Sequence, residues 1–157
     1  MEYKNNMNVI YHGSHIVNEK PSIIKDRYTK DFGYGFYCTR NKDEAIAESK
    51  IYKTPVVNVY ELKDISGLKV KVFEEYNEEW LDFVAGCKNG GIHDYDVVEG
   101  FTTNDEIYED IDAYLSGNID KVAYLKLIKE ECNKRQISFH NARALSKVVF
   151  LGSHTLK

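Results

Sequence analysis

The stretch Gly35-Phe36-Tyr37-Cys38-Thr39-Arg40-Asn41-Lys42-Asp43-Glu44-Ala45 decides how the chain is read. Its first five residues are aromatic and β-branched enough for a short strand. Asn41 then stands where a helix N-cap is needed, with Glu44 three residues on in the capping-box place and Ala45, Ser49 and Tyr52 on one helical face. A strand that passes at once into a helix would open a parallel α/β fold if the pattern repeated, but it does not. Val56 to Leu62 is a strand entered by Pro55. Leu68, Val70 and Val72 alternate with Lys69 and Lys71 in a second, half-buried strand, beyond a turn at Ser66-Gly67. Two strands therefore follow one another with no helix between them, and the expected class is α+β.

Working outward, Asn8 to His12 reads as a strand stopped by Gly13-Ser14, and residues 18–33 read as a long polar loop. Asn77 caps a helix carrying Trp80, Leu81 and Val84. Asp94 to Glu99 is a strand ended by Gly100. Ile107, Ile111, Tyr114 and Leu115 share one face of an amphipathic helix, and Asp120 to Cys132 is another with Val122, Leu125 and Ile128 inward. Gln136 to Phe139 and Lys147 to Leu151 are two late strands.

Composition excludes several classes. The 157 residues fit one domain, residues 1–157 throughout, and 43% apolar content is enough to build a core without disulfides or metal. Cys38, Cys87 and Cys132 are odd in number and widely spaced, which argues against a disulfide framework and a zinc site. A net charge of −4 gives no whole-chain attraction to nucleic acid. No run approaches eighteen apolar residues, and Met1 to Asn6 lacks a signal-peptide core. The expected setting is the cytoplasm, with no membrane partner.

Three constellations could carry chemistry. Tyr11-His12-Gly13-Ser14 places an imidazole at a strand end beside a glycine that permits close backbone approach. Asp31-Phe32-Gly33-Tyr34-Gly35-Phe36-Tyr37 interleaves two glycines with aromatics and lacks the Gly-Lys-Ser/Thr ending of a phosphate loop. Gln136 opens a late apolar strand at a sheet end.

Together, Tyr11-His12-Gly13-Ser14 and Gly33-x-Gly35-x-Tyr37 resemble the NAD-binding core of the ADP-ribosyltransferase superfamily, in its His–Tyr–Glu branch, which holds diphtheria toxin and the poly(ADP-ribose) polymerases. The chain also looks like a bacterial family of uncharacterised single-domain proteins placed in that superfamily. The match rests on residues 11–14, 30–39, 80–84, 95–98 and 136–140.

The resemblance implies two small, mainly antiparallel sheets around an NAD cleft with peripheral helices. It implies that NAD is the substrate and that no metal takes part. His12, Tyr37 and Gln136 would be the catalytic positions. His12, Gly13, Ser14, Gly35 and Tyr37 would bind NAD, with His12 on a ribose hydroxyl, the Gly13 backbone on the nicotinamide carboxamide and Tyr37 stacked on the nicotinamide ring. Gln136 stands where the branch has its catalytic Glu, and a Gln keeps the hydrogen bond without the charge. Gln136→Glu is accordingly expected to raise nicotinamide release. Glu130 and Glu131 are not assigned that role. The acceptor would be a protein or nucleic acid, met by residues 15–33 and 100–118, the first of which carries Lys20, Lys25, Arg27 and Lys30. Bacterial relatives of this kind imply a toxin-like or regulatory role beside a small partner protein. The competing expectations are an NAD or nucleotide-binding module of weak activity, an NAD glycohydrolase, and a fold relative used for protein interaction.

Overall fold

A computed structural model describes residues 7–23, 30–102 and 134–156, and residues 117, 120, 122, 125 and 126. The expected helix at 107–115 lies outside the described residues, as does most of that at 120–132.

The fold is α+β, with two small open sheets and few helices. The first sheet has the order β1 (Val9–Ser14), β3 (Val56–Leu62), β7 (Val148–Thr155), antiparallel throughout. The second has the order β2 (Phe36–Cys38), β6 (Arg135–Phe139), β5 (Val97–Phe101), β4 (Val70–Val72), and only its β4–β5 pair is parallel. An isolated bridge between Tyr11 and Thr39 ties the two sheets together.

Alternation within the strands places the layers. Ile10, Tyr60, Phe36, Cys38, Val97, Ile137 and Phe139 pack into one cluster between the sheets. The opposite face of the second sheet, through Val98, meets Trp80, Leu81 and Val84 of α2 (Glu78–Lys88). Trp80 is fully buried and its indole N–H donates to Phe101 O at 3.1 Å. α1 (Lys42–Ser49) packs on β1 and β3, across the outer face of the first sheet. β3 is thus covered on both faces, which explains why six of its seven residues are buried.

Two glycines read as strand stops are in fact strand residues. β1 runs through Gly13 to Ser14, and β5 starts at Val97 and runs through Gly100 to Phe101. Each marks a close approach instead of a turn. A Cβ on Gly13 would strike the Ala45 carbonyl oxygen and lie 2.9 Å from Ser49 N, and one on Gly100 would lie 3.1 Å from Phe73 Cβ. The last strand also outruns its expected end at Leu151. Val59 pairs with Gly152 but Tyr60 with Phe150, so Leu151 is a bulge that interrupts the alternation before the strand continues to Thr155. β4 is an edge strand: Leu68 and Val70 are half-buried against the core as expected, whereas Val72, at the strand end, is 40% exposed.

The helix starts are sharper. Asn41 accepts from Asp43 N and Glu44 N. Glu44 does not reach back to the Asn41 N–H: the Thr39 hydroxyl stands between, accepting from Asn41 N at 3.0 Å and donating to Glu44 at 2.9 Å. α1 ends at Ser49, before Tyr52. A four-residue helix, α3 (Ala142–Leu145), is too short to show a period. Its cap, Asn141, accepts from Ala144 N and donates to the buried Asp96 carboxylate, which also accepts from Lys69 N.

Candidate functional site

β1, β2 and β6 bring the expected residues to one place. His12, Gly13, Tyr37 and Gln136 line a single cavity of about 390 Å³, together with Lys30, Asp31, Glu48, Ile51 and Tyr52. Ser14 and Gly35 do not line it. Ser14 is buried at the end of β1, and Gly35 lies where a Cβ would meet Phe139 O at 2.8 Å and the His140 ring at 2.9 Å.

Strand register orients the Gly13 backbone. Tyr11 exchanges both backbone hydrogen bonds with Thr39, at 2.8 and 2.9 Å, so its N–H and C=O point away from β3. In an antiparallel pair these directions alternate by residue. Gly13, two residues on and opposite Val57, therefore turns its N–H and C=O the same way, beyond the bridge to Thr39 and on the cavity wall. The absent side chain serves α1, which occupies the space a Cβ needs.

His12 Nδ1–H donates to Tyr37 O at 2.6 Å, which fixes the tautomer and leaves Nε2 as an acceptor. Burial holds the imidazole below its ordinary value, with Lys30 adding to the effect against the bond to Tyr37. His12 is therefore neutral at pH 7. The Tyr37 hydroxyl accepts from Phe32 N at 3.0 Å and donates to Gly33 O at 2.5 Å, so its tip pins the loop while its ring lines the cavity. Lys30 Nζ lies 5.4 Å from the centre of that ring, within cation–π range.

Three charged side chains of the cavity were not anticipated as site residues. Asp31, only 6% exposed, accepts from Gln136 Nε2 at 2.9 Å. Glu48 stands on α1 at the cavity mouth, where partial burial and then Glu44 push its carboxyl above its usual range, against Lys30 and Lys134. Lys30 was seen only as part of a basic cluster. Lys25 and Arg27 of that cluster lie outside the described residues, as do 103–116 of the second expected acceptor stretch. Asp31 is 105 residues from Gln136, and no local spacing could have paired them.

A second cavity, of about 370 Å³, is lined by Gly33, Tyr34, His93 and His140. His140 Nδ1–H donates to Tyr34 O at 2.8 Å and its Nε2 accepts from the Ser138 hydroxyl at 2.7 Å. His93 Nε2–H donates to Phe32 O at 2.8 Å and its Nδ1 accepts from Tyr95 N at 3.1 Å. Burial pushes the His140 imidazole down to about 4, and neighbouring His93 adds to this against the bond to Tyr34.

Among the described residues no group of three or more His, Cys, Asp or Glu is placed to hold a metal ion, and no helix is long and apolar enough to cross a membrane.

The fold and site define an α+β protein with a charged, glycine-walled cleft between two sheets. The chain belongs to the family described as a protein of unknown function, DUF3990, whose model matches residues 8–150. No curated protein and no solved structure matches it.

Proposed function

We propose that the chain is an NAD-dependent ADP-ribosyltransferase-like enzyme with the corresponding fold. In this reading it cleaves the nicotinamide–ribose bond and transfers ADP-ribose to a protein or nucleic-acid acceptor. One observation carries the reading. The Gly13 backbone donor and acceptor, the His12 imidazole, the Tyr37 ring and the Gln136 amide, drawn from three strands, meet on one cavity. A nicotinamide carboxamide needs one donor and one acceptor, and Gly13 turns both outward. The Tyr37 ring already has a cation within reach in Lys30, and a pyridinium ring takes that place once the flexible lysine moves aside. His12, neutral and with Nε2 an acceptor, suits a ribose hydroxyl.

In the reaction the C1′–N bond breaks and its electron pair passes to the pyridinium nitrogen, so nicotinamide leaves uncharged. The acceptor nucleophile adds to C1′ and releases its proton to solvent. The leaving group carries its positive charge before the bond breaks, so the protein's work is to hold NAD bent and to oppose the cation that develops on the ribose.

The test is a thermal-unfolding shift at millimolar NAD together with nicotinamide release, with and without cell lysate. A ligand of the native state must raise the midpoint. No shift with NAD, nicotinamide or ADP-ribose removes the reading. NAD binding without nicotinamide release makes the chain a binding module. Release with all ADP-ribose left free makes it a glycohydrolase.

A further inference from the structure

A ribose cation needs negative charge nearby, and Gln136 has none of its own. The structure places a carboxylate against it, on the wall of the same cavity. Gln136 Nε2 lies 2.9 Å from Asp31 Oδ2, and an ionised carboxylate can only accept, so the amide nitrogen faces Asp31 and Oε1 is the opposite end. A hydrogen bond to an ionised acceptor is stronger than a neutral one. Because the amide is conjugated, negative charge at its N–H end moves electron density toward Oε1. Asp31 is nearly shut off from water, where such an effect is least screened. Its position is also fixed: Phe32 and Gly33, the next two residues, are both bonded to the Tyr37 hydroxyl.

Resting on the NAD reading of this cavity, we propose that Asp31 is a positioning residue that brings negative charge to the ribose end of the site through Gln136. The polarised Oε1 accepts from the ribose 2′-hydroxyl as charge develops at C1′. The pair does with two side chains what a single carboxylate would do at position 136. Gln136→Glu alone then gains little, because it sets two carboxylates against each other in place of a hydrogen-bonded pair. The charge reaches position 136 cleanly only in the exchange Asp31→Asn/Gln136→Glu, where the new amide donates to the new carboxylate.

The experiment measures kcat and KM for nicotinamide release in wild type, Asp31→Asn, Gln136→Glu and the exchange, with unfolding midpoints for all four. Asp31→Asn keeps an oxygen for the Gln136 amide and removes the charge. It should lower kcat roughly tenfold or more, within the loss expected for a group in direct contact, while KM and the midpoint move little. The exchange should restore kcat to at least the wild-type level. A merely structural Asp31 would lower the midpoint instead and would not be rescued by moving the charge. Full turnover in Asp31→Asn, or an exchange variant that folds and binds NAD but stays as slow as Asp31→Asn, overturns the proposal while the NAD reading stands. Wild type that neither binds nor cleaves NAD overturns the reading, and the proposal with it.

Discussion

The two histidine-bearing cavities differ in how their polar atoms are used. Around His140 and His93 all four ring nitrogens are bonded within the protein, and two of the partners are the Phe32 and Tyr34 carbonyls. These rings hold the ribbon of residues 32–34 in place. Around His12 only Nδ1 is engaged among the described residues, charged groups line the wall, and a glycine backbone turns outward. Saturation marks a histidine that builds structure. An acceptor left over beside charged neighbours marks one available to a ligand. Residue type does not separate the two cases, since both cavities contain His, Tyr and Gly.

The comparison breaks most visibly through Gly13. Gly13→Ala forces a methyl group into the α1 backbone and should cost about 3 kcal/mol in chemical denaturation, although Gly13 sits on the ligand-side wall. A variant as stable as wild type would show that α1 yields easily.

Acid should act next, through the other cavity. His140 binds its proton near pH 6.5 when unfolded and near 4 when folded. The unfolded chain therefore holds more protons between these values. The His140 contribution is complete above pH 6.5 and is lost as the pH falls toward 4, on the order of 3 kcal/mol in all. His140→Asn should flatten this part of the stability–pH curve, and an unchanged curve would remove His140 as its source.

Truncating the two rings separates their roles. His140→Ala leaves the Tyr34 carbonyl without its partner, while the Ser138 hydroxyl keeps Val98 O at 3.2 Å, and should cost about 2 kcal/mol. His12→Ala takes the Nδ1–H donor from the Tyr37 carbonyl in the same way and should also cost about 2 kcal/mol, yet it alone should abolish the NAD-induced shift. The reverse pattern would exchange the assignments of the cavities.

Tyr37→Phe sharpens the contrast from the side of the first cavity. It removes the bonds to Phe32 N and Gly33 O and should cost about 1 kcal/mol. The NAD shift should persist, because the ring remains. Loss of the shift with stability intact would move the role of Tyr37 from its ring to its hydroxyl.

Much of this was legible where the signal is local. Asn41 and Asn77 announce their helices, and Val56 to Leu62 forms a strand with the expected ends. What failed was non-local. A glycine inside a strand looks like a turn until the helix or ring above it is known, and Gly13 and Gly100 were misread for that reason. The Leu151 bulge and the four-residue α3 leave no periodic trace, though Asn141 was a usable cap signal. At the site, His12, Gly13, Tyr37 and Gln136 carried a recognisable pattern, whereas Asp31, Lys30 and Glu48 enter it through the packing of a loop and a helix face.

The topology also sets an order of events during synthesis. β6, which lies between β2 and β5, and β7, which completes the first sheet beside β3, both come from residues beyond 134, so the second sheet lacks its centre and the first an edge until then. A nascent chain that has emerged only as far as residue 133 already carries His12, Gly13 and Tyr37 but lacks the strand holding Gln136. Pairings of such long sequence separation form late and slowly. The cavity therefore lacks one wall until the strand that carries Gln136 has been made.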